Sequence, residues 1–348
     1  MVKPSVDLRS DTVTRPTLAM REAMVSAEVG DDVLDHDPTT LVLEERVAEI
    51  LGKERALFFP SGIQANQTAL AVLGRPGAEA ILEAGSHILN YEEGAAAALS
   101  GLQLRPVPTP DGLLSPELVE AAIRPASPYV IPTSLIAIEN THNGAGGKIL
   151  PLETARGIQK VARGAGLPLH LDGARLWHAC VETGRPPAEF GAVADTVMVC
   201  LSKGLGAPVG SLLAGSGDLM ERAWRIRRRF GGGMRQSGML AAGGLYALEH
   251  HRDRLAEDHV RARDLARGVS EIPGLSVATP ETNIVMIDIV AHGVTPGRVL
   301  DSLSDMGVLM TGFGLRRLRA VTHLEVDDEG VAAAVRGLRM AMEGLGRD

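Results

Sequence analysis

The feature that most constrains the fold of this chain is a repeated alternation of short apolar runs with helical segments. The runs at 56–60, 135–138 and 197–201 are apolar almost throughout, whereas a strand with one solvated face would alternate apolar and polar residues. We therefore predict an α/β fold with a mostly parallel sheet covered by helices on both faces. In such sheets, ligands bind outside the carboxyl ends of the strands.

The run at 197–201 leads directly to Ser202 and Lys203, and a second apolar run follows at 211–214. Glycines and a proline between the two runs disfavour a regular helix. A buried strand thus delivers one ammonium group to the edge of the sheet. An amine held against apolar walls has its charged form disfavoured, which suits a lysine that forms a Schiff base. The alternative is an ordinary solvated lysine at a strand end.

Three further polar or glycine positions follow predicted strands, namely Gly62, His142 and Asp172. A glycine at a strand-to-helix turn exposes backbone N–H groups that can bind a phosphate. A metal centre is the rival interpretation, because His170 and Asp172 alternate onto one face of their strand and His142 is available as a third ligand. The acidic loop at 31–37 lacks the glycine and the terminal glutamate of an EF-hand.

Composition excludes several classes of function. A chain of 348 residues is long enough for about two domains. The net charge of −8 does not attract nucleic acid or an anionic membrane, and 3% aromatic content offers few stacking platforms for bases. The two cysteines have no C-x-x-C partner, and no apolar run is long enough for a membrane span or a signal peptide. We expect a cytoplasmic enzyme without nucleic-acid or membrane partners.

The predicted organisation has three parts. Residues 1–16 form a polar N-terminal arm, residues 17–250 a large ligand-binding domain, and residues 251–348 a smaller C-terminal α+β domain. One long helix is predicted from residue 238 to about residue 267, and a helix from 17 to about 29.

A series of motifs, in order along nearly the whole chain, resembles the low-specificity L-threonine aldolases. These belong to the aspartate aminotransferase-like group of pyridoxal phosphate enzymes, fold type I. The motifs are Asp7-Leu-Arg-Ser-Asp-Thr-Val-Thr-Arg-Pro16, Gly30-Asp-Asp-Val33, Asp37-Pro-Thr39, Pro60-Ser-Gly-Ile-Gln-Ala-Asn66, Glu139-Asn-Thr-His-Asn-Gly144, Leu171-Asp-Gly-Ala-Arg175, Cys200-Leu-Ser-Lys-Gly-Leu-Gly-Ala-Pro-Val-Gly-Ser211, Gly231-Gly-Gly-Met-Arg-Gln-Ser-Gly238 and Arg319-Ala-Val-Thr-His323.

The resemblance implies pyridoxal 5′-phosphate as the cofactor and a role for each of several residues. Lys203 would form the Schiff base, Asp172 would pair with the ring nitrogen, and Arg175 would lie by the ring oxygen. His87 would stack on the ring near the substrate hydroxyl, with His142 close by. The remaining roles are phosphate binding by Gly62, Ile63 and Ser202, phosphate contacts to a neighbouring subunit by Arg228 and Arg235, and binding of the substrate carboxylate by Ser10, Arg175 and Arg319. None of these roles requires a metal.

The resemblance also implies a homo-oligomer, a tetramer built from dimers, with the site at the subunit interface. Three positions depart from the pattern of relatives. Ile63 stands where relatives often have threonine, so only its backbone can serve the phosphate. Arg228 replaces a common lysine, and Leu34 replaces a tyrosine of the acidic loop.

The function implied is cleavage of L-threonine and L-allo-threonine to glycine and an aldehyde, as part of threonine catabolism and glycine biosynthesis. His87 or His142 is the candidate general base. One alternative is a pyridoxal phosphate-dependent β-eliminating lyase or racemase acting on a related amino acid. The other is a pyridoxal phosphate-binding regulator, which would need a DNA-binding module, and no such pattern is visible before residue 17 or after residue 250.

Overall fold

The computed structural model describes residues 6–125 and 127–345. Residues 1–5 of the predicted arm and 346–348 of the predicted small domain lie outside the described residues. The strands are β1 (Val6–Asp7), β2 (Arg55–Phe59), β3 (Glu79–Glu83), β4 (Gln103–Val107), β5 (Thr133–Glu139), β6 (Leu169–Gly173), β7 (Thr196–Cys200), β8 (Ser211–Gly215), β9 (Leu275–Val277), β10 (Ile284–Ile289), β11 (Val308–Leu309), β12 (Thr311–Gly312) and β13 (Arg317–Val321).

Helices connect these strands, and a short 3₁₀ helix covers Asp11–Val13. The α-helices are α1 (Leu18–Val25), α2 (Pro38–Leu51), α3 (Gly62–Leu73), α4 (His87–Asn90), α5 (Ala95–Ser100), α6 (Pro116–Ala122), α7 (Leu152–Gly164), α8 (Leu176–Thr183), α9 (Pro187–Gly191), α10 (Gly217–Arg229), α11 (Gly238–His250), α12 (Leu255–Ser270), α13 (Pro296–Asp305) and α14 (Asp328–Leu345). No helix in this part of the chain is long and apolar enough to cross a membrane.

The central sheet has seven strands in the order β2-β8-β7-β6-β5-β3-β4. The run from β7 to β4 is parallel, and β8 is antiparallel to both of its neighbours. Alternate residues of β7 enter different apolar clusters, Val197 and Val199 on one face, Met198 and Cys200 on the other. Helices therefore cover both faces, and the prediction of a mostly parallel α/β sheet is confirmed. Strand β4 was not predicted, because it is a partly exposed edge strand that contains a charged residue and a proline.

A second, antiparallel sheet has the order β12-β13-β10-β9 and packs with α12, α13 and α14 around its own apolar core. Val6 and Leu8 belong to this core, and β1 pairs in parallel with β11. The N-terminal segment thus joins the C-terminal unit. The domain boundary near residue 250 stays a prediction.

The single long helix predicted from 238 to 267 is wrong, because α11 ends at His250 and α12 begins at Leu255. The reason lies in a tertiary contact that periodicity does not reveal. The Nδ1 atom of His251 lies 2.7 Å from the carbonyl oxygen of Leu205, in the loop after Lys203. Helix α1 is also shorter than predicted and ends at Val25.

Candidate active site

A cavity of about 340 Å³ lies at the carboxyl ends of β2, β6 and β7. Its lining brings together six of the residues predicted from the sequence: Gly62, Ile63, His87, Asp172, Ser202 and Lys203. These residues come from four separate segments of the chain. Their convergence at one edge of the sheet follows from the parallel order of the strands.

Lys203 begins a tight turn directly after β7. The carbonyl oxygen of Lys203 accepts hydrogen bonds from the Gly206 N–H (2.8 Å) and the Thr14 hydroxyl (3.1 Å). Gly206 has a φ of +74°, a conformation that other residues rarely adopt. A Cβ atom at Gly204 would lie 2.6 Å from Nε2 of His178. The turn therefore needs glycine at both positions, and it fixes the backbone from which the lysine amine reaches the cavity.

Helix α3 begins at the cavity wall. The Ser61 hydroxyl caps the helix by accepting the Gln64 N–H (3.2 Å). The N–H groups of the first helical residues, Gly62 and Ile63, have no partner within the helix. Because the helix dipole also favours negative charge at this end, the position suits an anion.

Asp172 is buried at the end of β6 and belongs to a hydrogen-bonded network. Its carboxylate accepts the Ala174 N–H (3.1 Å) and the Asn66 amide (2.8 Å). The Asn66 oxygen lies 3.0 Å from Nε2 of His170, whose Nδ1 lies 2.9 Å from the Thr196 hydroxyl. Burial lowers the pKa of His170 to about 4, so the ring is neutral. Both ring nitrogens are occupied, which leaves His170 without a lone pair for the metal centre considered above.

His87 is oriented by Glu92. Nδ1 of His87 lies 2.9 Å from the Glu92 carboxylate, which also accepts the amides of Asn66 (2.9 Å) and Gln67 (2.6 Å). A carboxylate can only accept hydrogen bonds, so Nδ1 of His87 is the donor and carries the ring proton. Nε2 makes no hydrogen bond within the described residues and keeps its lone pair. Burial lowers the pKa of His87, but the Glu92 hydrogen bond and the Asp172 charge outweigh it, so the net pKa is raised.

His142 is enclosed and does not line the cavity. Its Nδ1 accepts the Ala145 N–H (3.1 Å), and its buried Nε2 lies 3.0 Å from Glu83. Glu83 is held in turn by the Thr109 hydroxyl (2.8 Å) and the Gly85 N–H. Of the two candidate bases, the geometry therefore favours His87.

Two arginines predicted to hold a carboxylate lie together. Arg175 donates to both oxygens of buried Asp11 (2.8 and 2.7 Å). Arg175 and Arg319 both donate to the side-chain oxygen of Asn143, at 3.2 and 3.0 Å. Burial raises the pKa of Asp11, but the Arg175 guanidinium outweighs it and holds that pKa well below its usual range. Ser10 caps the neighbouring 3₁₀ helix, and its hydroxyl accepts the Thr12 N–H at 3.2 Å.

Arg228 and Arg235 do not reach the cavity of their own chain. The Arg228 guanidinium lies 4.9 Å from the centre of the Trp224 ring. The Arg235 side chain is 60% exposed and lies 3.4 Å from Asp31. The buried arginine of this run is Arg227, which pairs with Asp32 at 2.8 Å.

Sequence reasoning did not assign roles to Asp11, Asn66, Glu92 or Asn143. Three of them stand inside the quoted motifs, which was the available signal. Glu92 lies in the loop before α5, five residues after His87 and outside the quoted motifs.

Known proteins resemble this chain over nearly its whole length. The sequence profile of the beta-eliminating lyase family matches residues 7–292. Low-specificity L-threonine aldolase 1 of Arabidopsis thaliana is 42% identical over 349 residues, covering 98% of this chain and 98% of that protein. Low specificity L-threonine aldolase of Escherichia coli is 42% identical over 328 residues, covering 94% and 96%. A solved threonine aldolase structure from Leishmania major superposes with a TM-score of 0.82 at 21% identity, covering 97% and 99%. This last likeness confirms the predicted fold class.

Proposed function

This chain belongs to the low-specificity L-threonine aldolase family, and from that premise we propose that it cleaves L-threonine and L-allo-threonine to glycine and acetaldehyde with pyridoxal phosphate as its cofactor. The observation that carries the proposal is the convergence of three groups on one cavity. They are the Lys203 side chain, the buried Asp172 carboxylate and the N-terminus of α3.

The donors around the cavity fit pyridoxal phosphate. The N–H groups of Gly62 and Ile63 and the Ser202 hydroxyl suit the phosphate, and the Asp172 carboxylate suits a protonated ring nitrogen. Lys203 would hold the cofactor through its amine, and His87 would cover the ring. When bound, the cofactor supplies a sink for the electron pair released at the substrate Cα.

Each substrate group meets a complementary residue in this proposal. Arg175, Arg319 and Ser10 would bind the carboxylate and fix the orientation of the Cα–Cβ bond. Nε2 of His87 would take the proton of the β-hydroxyl, so that the oxygen forms the aldehyde carbonyl as the Cα–Cβ bond breaks. His142 would position Glu83 and its loop rather than accept a proton.

A second copy of the chain would complete the site. Of the arginines in the described residues, none lines the cavity near α3, so a cation for the phosphate would come from Arg235 or Arg228 of a neighbouring subunit. Large apolar side chains are exposed on α1, α2 and α11, which pack together: Leu18, Val25, Leu41, Val42 and Met239. Such a surface supports a homo-oligomer, which we propose to be a tetramer built from dimers.

Product analysis tests the proposal. The cofactor-loaded protein is incubated with L-threonine and, separately, L-allo-threonine, with Lys203→Ala as the control. We expect glycine and acetaldehyde in equal amounts from the wild type and none from the variant. A keto acid with ammonia would identify a β-eliminating lyase instead, and D-amino acid products would identify a racemase. Activity of this kind would place the protein in threonine catabolism and glycine biosynthesis.

A further inference from the structure

We infer that Asn143 is a fourth ligand of the substrate carboxylate, beside Ser10, Arg175 and Arg319, with its amide nitrogen donating to the anion. This inference rests on the proposed function and deepens it. The segment that carries Asn143 follows β5 and is anchored by Glu139, whose carboxylate accepts the Asn143 N–H at 2.8 Å.

The hydrogen bonds fix which way the Asn143 amide points. Its side-chain oxygen lies 3.2 Å from NH1 of Arg175 and 3.0 Å from NH1 of Arg319. A guanidinium can only donate, so the oxygen rather than the nitrogen must face the two arginines. The nitrogen Nδ2 points elsewhere and makes no hydrogen bond within the described residues. Since Nδ2 is also not fully buried, it is open to a ligand.

The charges around Asn143 leave room for one anion. Asp11 is fully buried and balances Arg175 through two hydrogen bonds. Arg319 donates only to neutral oxygens, those of Asn143 and the Arg9 carbonyl, and its Nε is a buried donor without a partner. The group of Asp11, Arg175 and Arg319 therefore carries one excess positive charge, which a single carboxylate would neutralise. The buried carboxyl of Glu139 hydrogen-bonds the backbone N–H of Asn143, and burial raises its pKa, which favours its neutral form.

The two polar atoms of the Asn143 side chain, its oxygen and Nδ2, thus have separate roles, and we call them its two faces. Its oxygen bridges two like-charged guanidiniums and holds them at one distance from each other. Its Nδ2 and the free N–H groups of the arginines supply donors to a carboxylate, which accepts about four hydrogen bonds. The ligand class is an α-amino acid with one carboxylate at this end. An amine without a carboxylate would not use these donors.

Two variants separate the two faces. Asn143→Asp keeps an oxygen for the arginines, removes the nitrogen donor and adds the charge that the substrate should bring. Asn143→Ala removes both faces. Dissociation constants for glycine and for ethanolamine, an amine of similar size without the carboxylate, are measured from the absorbance of the cofactor-loaded protein. KM and kcat for L-threonine are measured in parallel.

We expect glycine binding to weaken about 10- to 100-fold in Asn143→Ala and further in Asn143→Asp, with KM changing more than kcat. Ethanolamine binding should change by less than a few-fold. Wild-type protein that neither binds glycine nor cleaves threonine would overturn the proposed function and this inference with it. If the wild type binds glycine, two results would overturn the inference alone. Either both variants bind glycine as tightly as the wild type, or the variants lose affinity for glycine and for ethanolamine to the same extent. Should Asn143→Asp not fold, the comparison of glycine with ethanolamine in Asn143→Ala decides.

Discussion

Replacing Glu92 with glutamine tests the assignment of His87 as the base. The Glu92 carboxylate is buried and accepts three N–H groups, with His87 at 2.9 Å. Glutamine has the same shape but presents one acceptor and one –NH₂ group. The side-chain oxygen of Gln67 has no partner, so the Gln67 amide can turn over and accept the new –NH₂ group. His87 keeps its hydrogen bond and its tautomer, but the acceptor becomes neutral.

The size of the effect follows from that change of acceptor. A hydrogen bond to a charged group contributes about 1.5–3 kcal/mol and one between neutral groups about 0.5–1.5 kcal/mol. The difference of about 1–1.5 kcal/mol corresponds to a roughly five- to tenfold loss of kcat/KM if all of it is added to the activation free energy of proton transfer. Because the charge of Glu92 is one cause of the raised pKa of His87, a neutral glutamine in its place lowers that pKa. The base is then free at lower pH, and the acidic limb of the pH–rate profile moves to lower pH.

The assay couples acetaldehyde release from L-threonine to NADH oxidation by alcohol dehydrogenase across a range of pH. Glu93→Gln is the matched control, because Glu93 is the next residue and is exposed, and the His87 ring donates its hydrogen bond to Glu92 instead. We expect the control to behave like the wild type. If Glu92→Gln leaves both the rate and the acidic limb unchanged, the pairing of His87 with Glu92 plays no part in proton transfer.

Three further predictions concern other contacts. His87→Asn should lower kcat by about 10²- to 10⁴-fold. His142→Asn should keep most of the rate and lower the melting temperature, because it removes the imidazole that lies 3.0 Å from Glu83. Equal losses of rate would contradict the choice of His87 as the base. Gly204→Ala should reduce the free energy of unfolding by about 1–3 kcal/mol, because the added Cβ would lie 2.6 Å from Nε2 of His178. Gly164→Ala is the control and should cause no such loss, because a Cβ there has open space around it. Denaturant titration measures both. Asp11→Asn should lower the free energy of unfolding by about 3–5 kcal/mol at pH 7. Because folding lowers the pKa of Asp11, the stability that its carboxylate contributes is complete above about pH 4 and is lost as the pH falls. The difference in free energy of unfolding between wild type and variant must therefore shrink when unfolding is measured at acid pH.

The sequence identified what local pattern determines. Lys203 and Gly62 follow apolar runs, and Asp172 ends one, so the strand rule placed all three at one sheet edge, where the structure has them. The strand rule did not identify His87. Other pairs in the site join residues far apart in the chain, such as Asp11 with Arg175 and Asn143 with Arg319. No periodicity reports such pairs. The break between α11 and α12 has the same origin, since His251 contacts the loop after Lys203.

The account depends most on the covalent attachment of the cofactor at position 203. Protein purified with pyridoxal phosphate is reduced with borohydride, digested and analysed by mass spectrometry. The account predicts a phosphopyridoxyl group on the peptide that contains Lys203 and loss of visible absorbance in Lys203→Ala. An unlabelled Lys203, or a label on Lys53 or Lys148 instead, would contradict it.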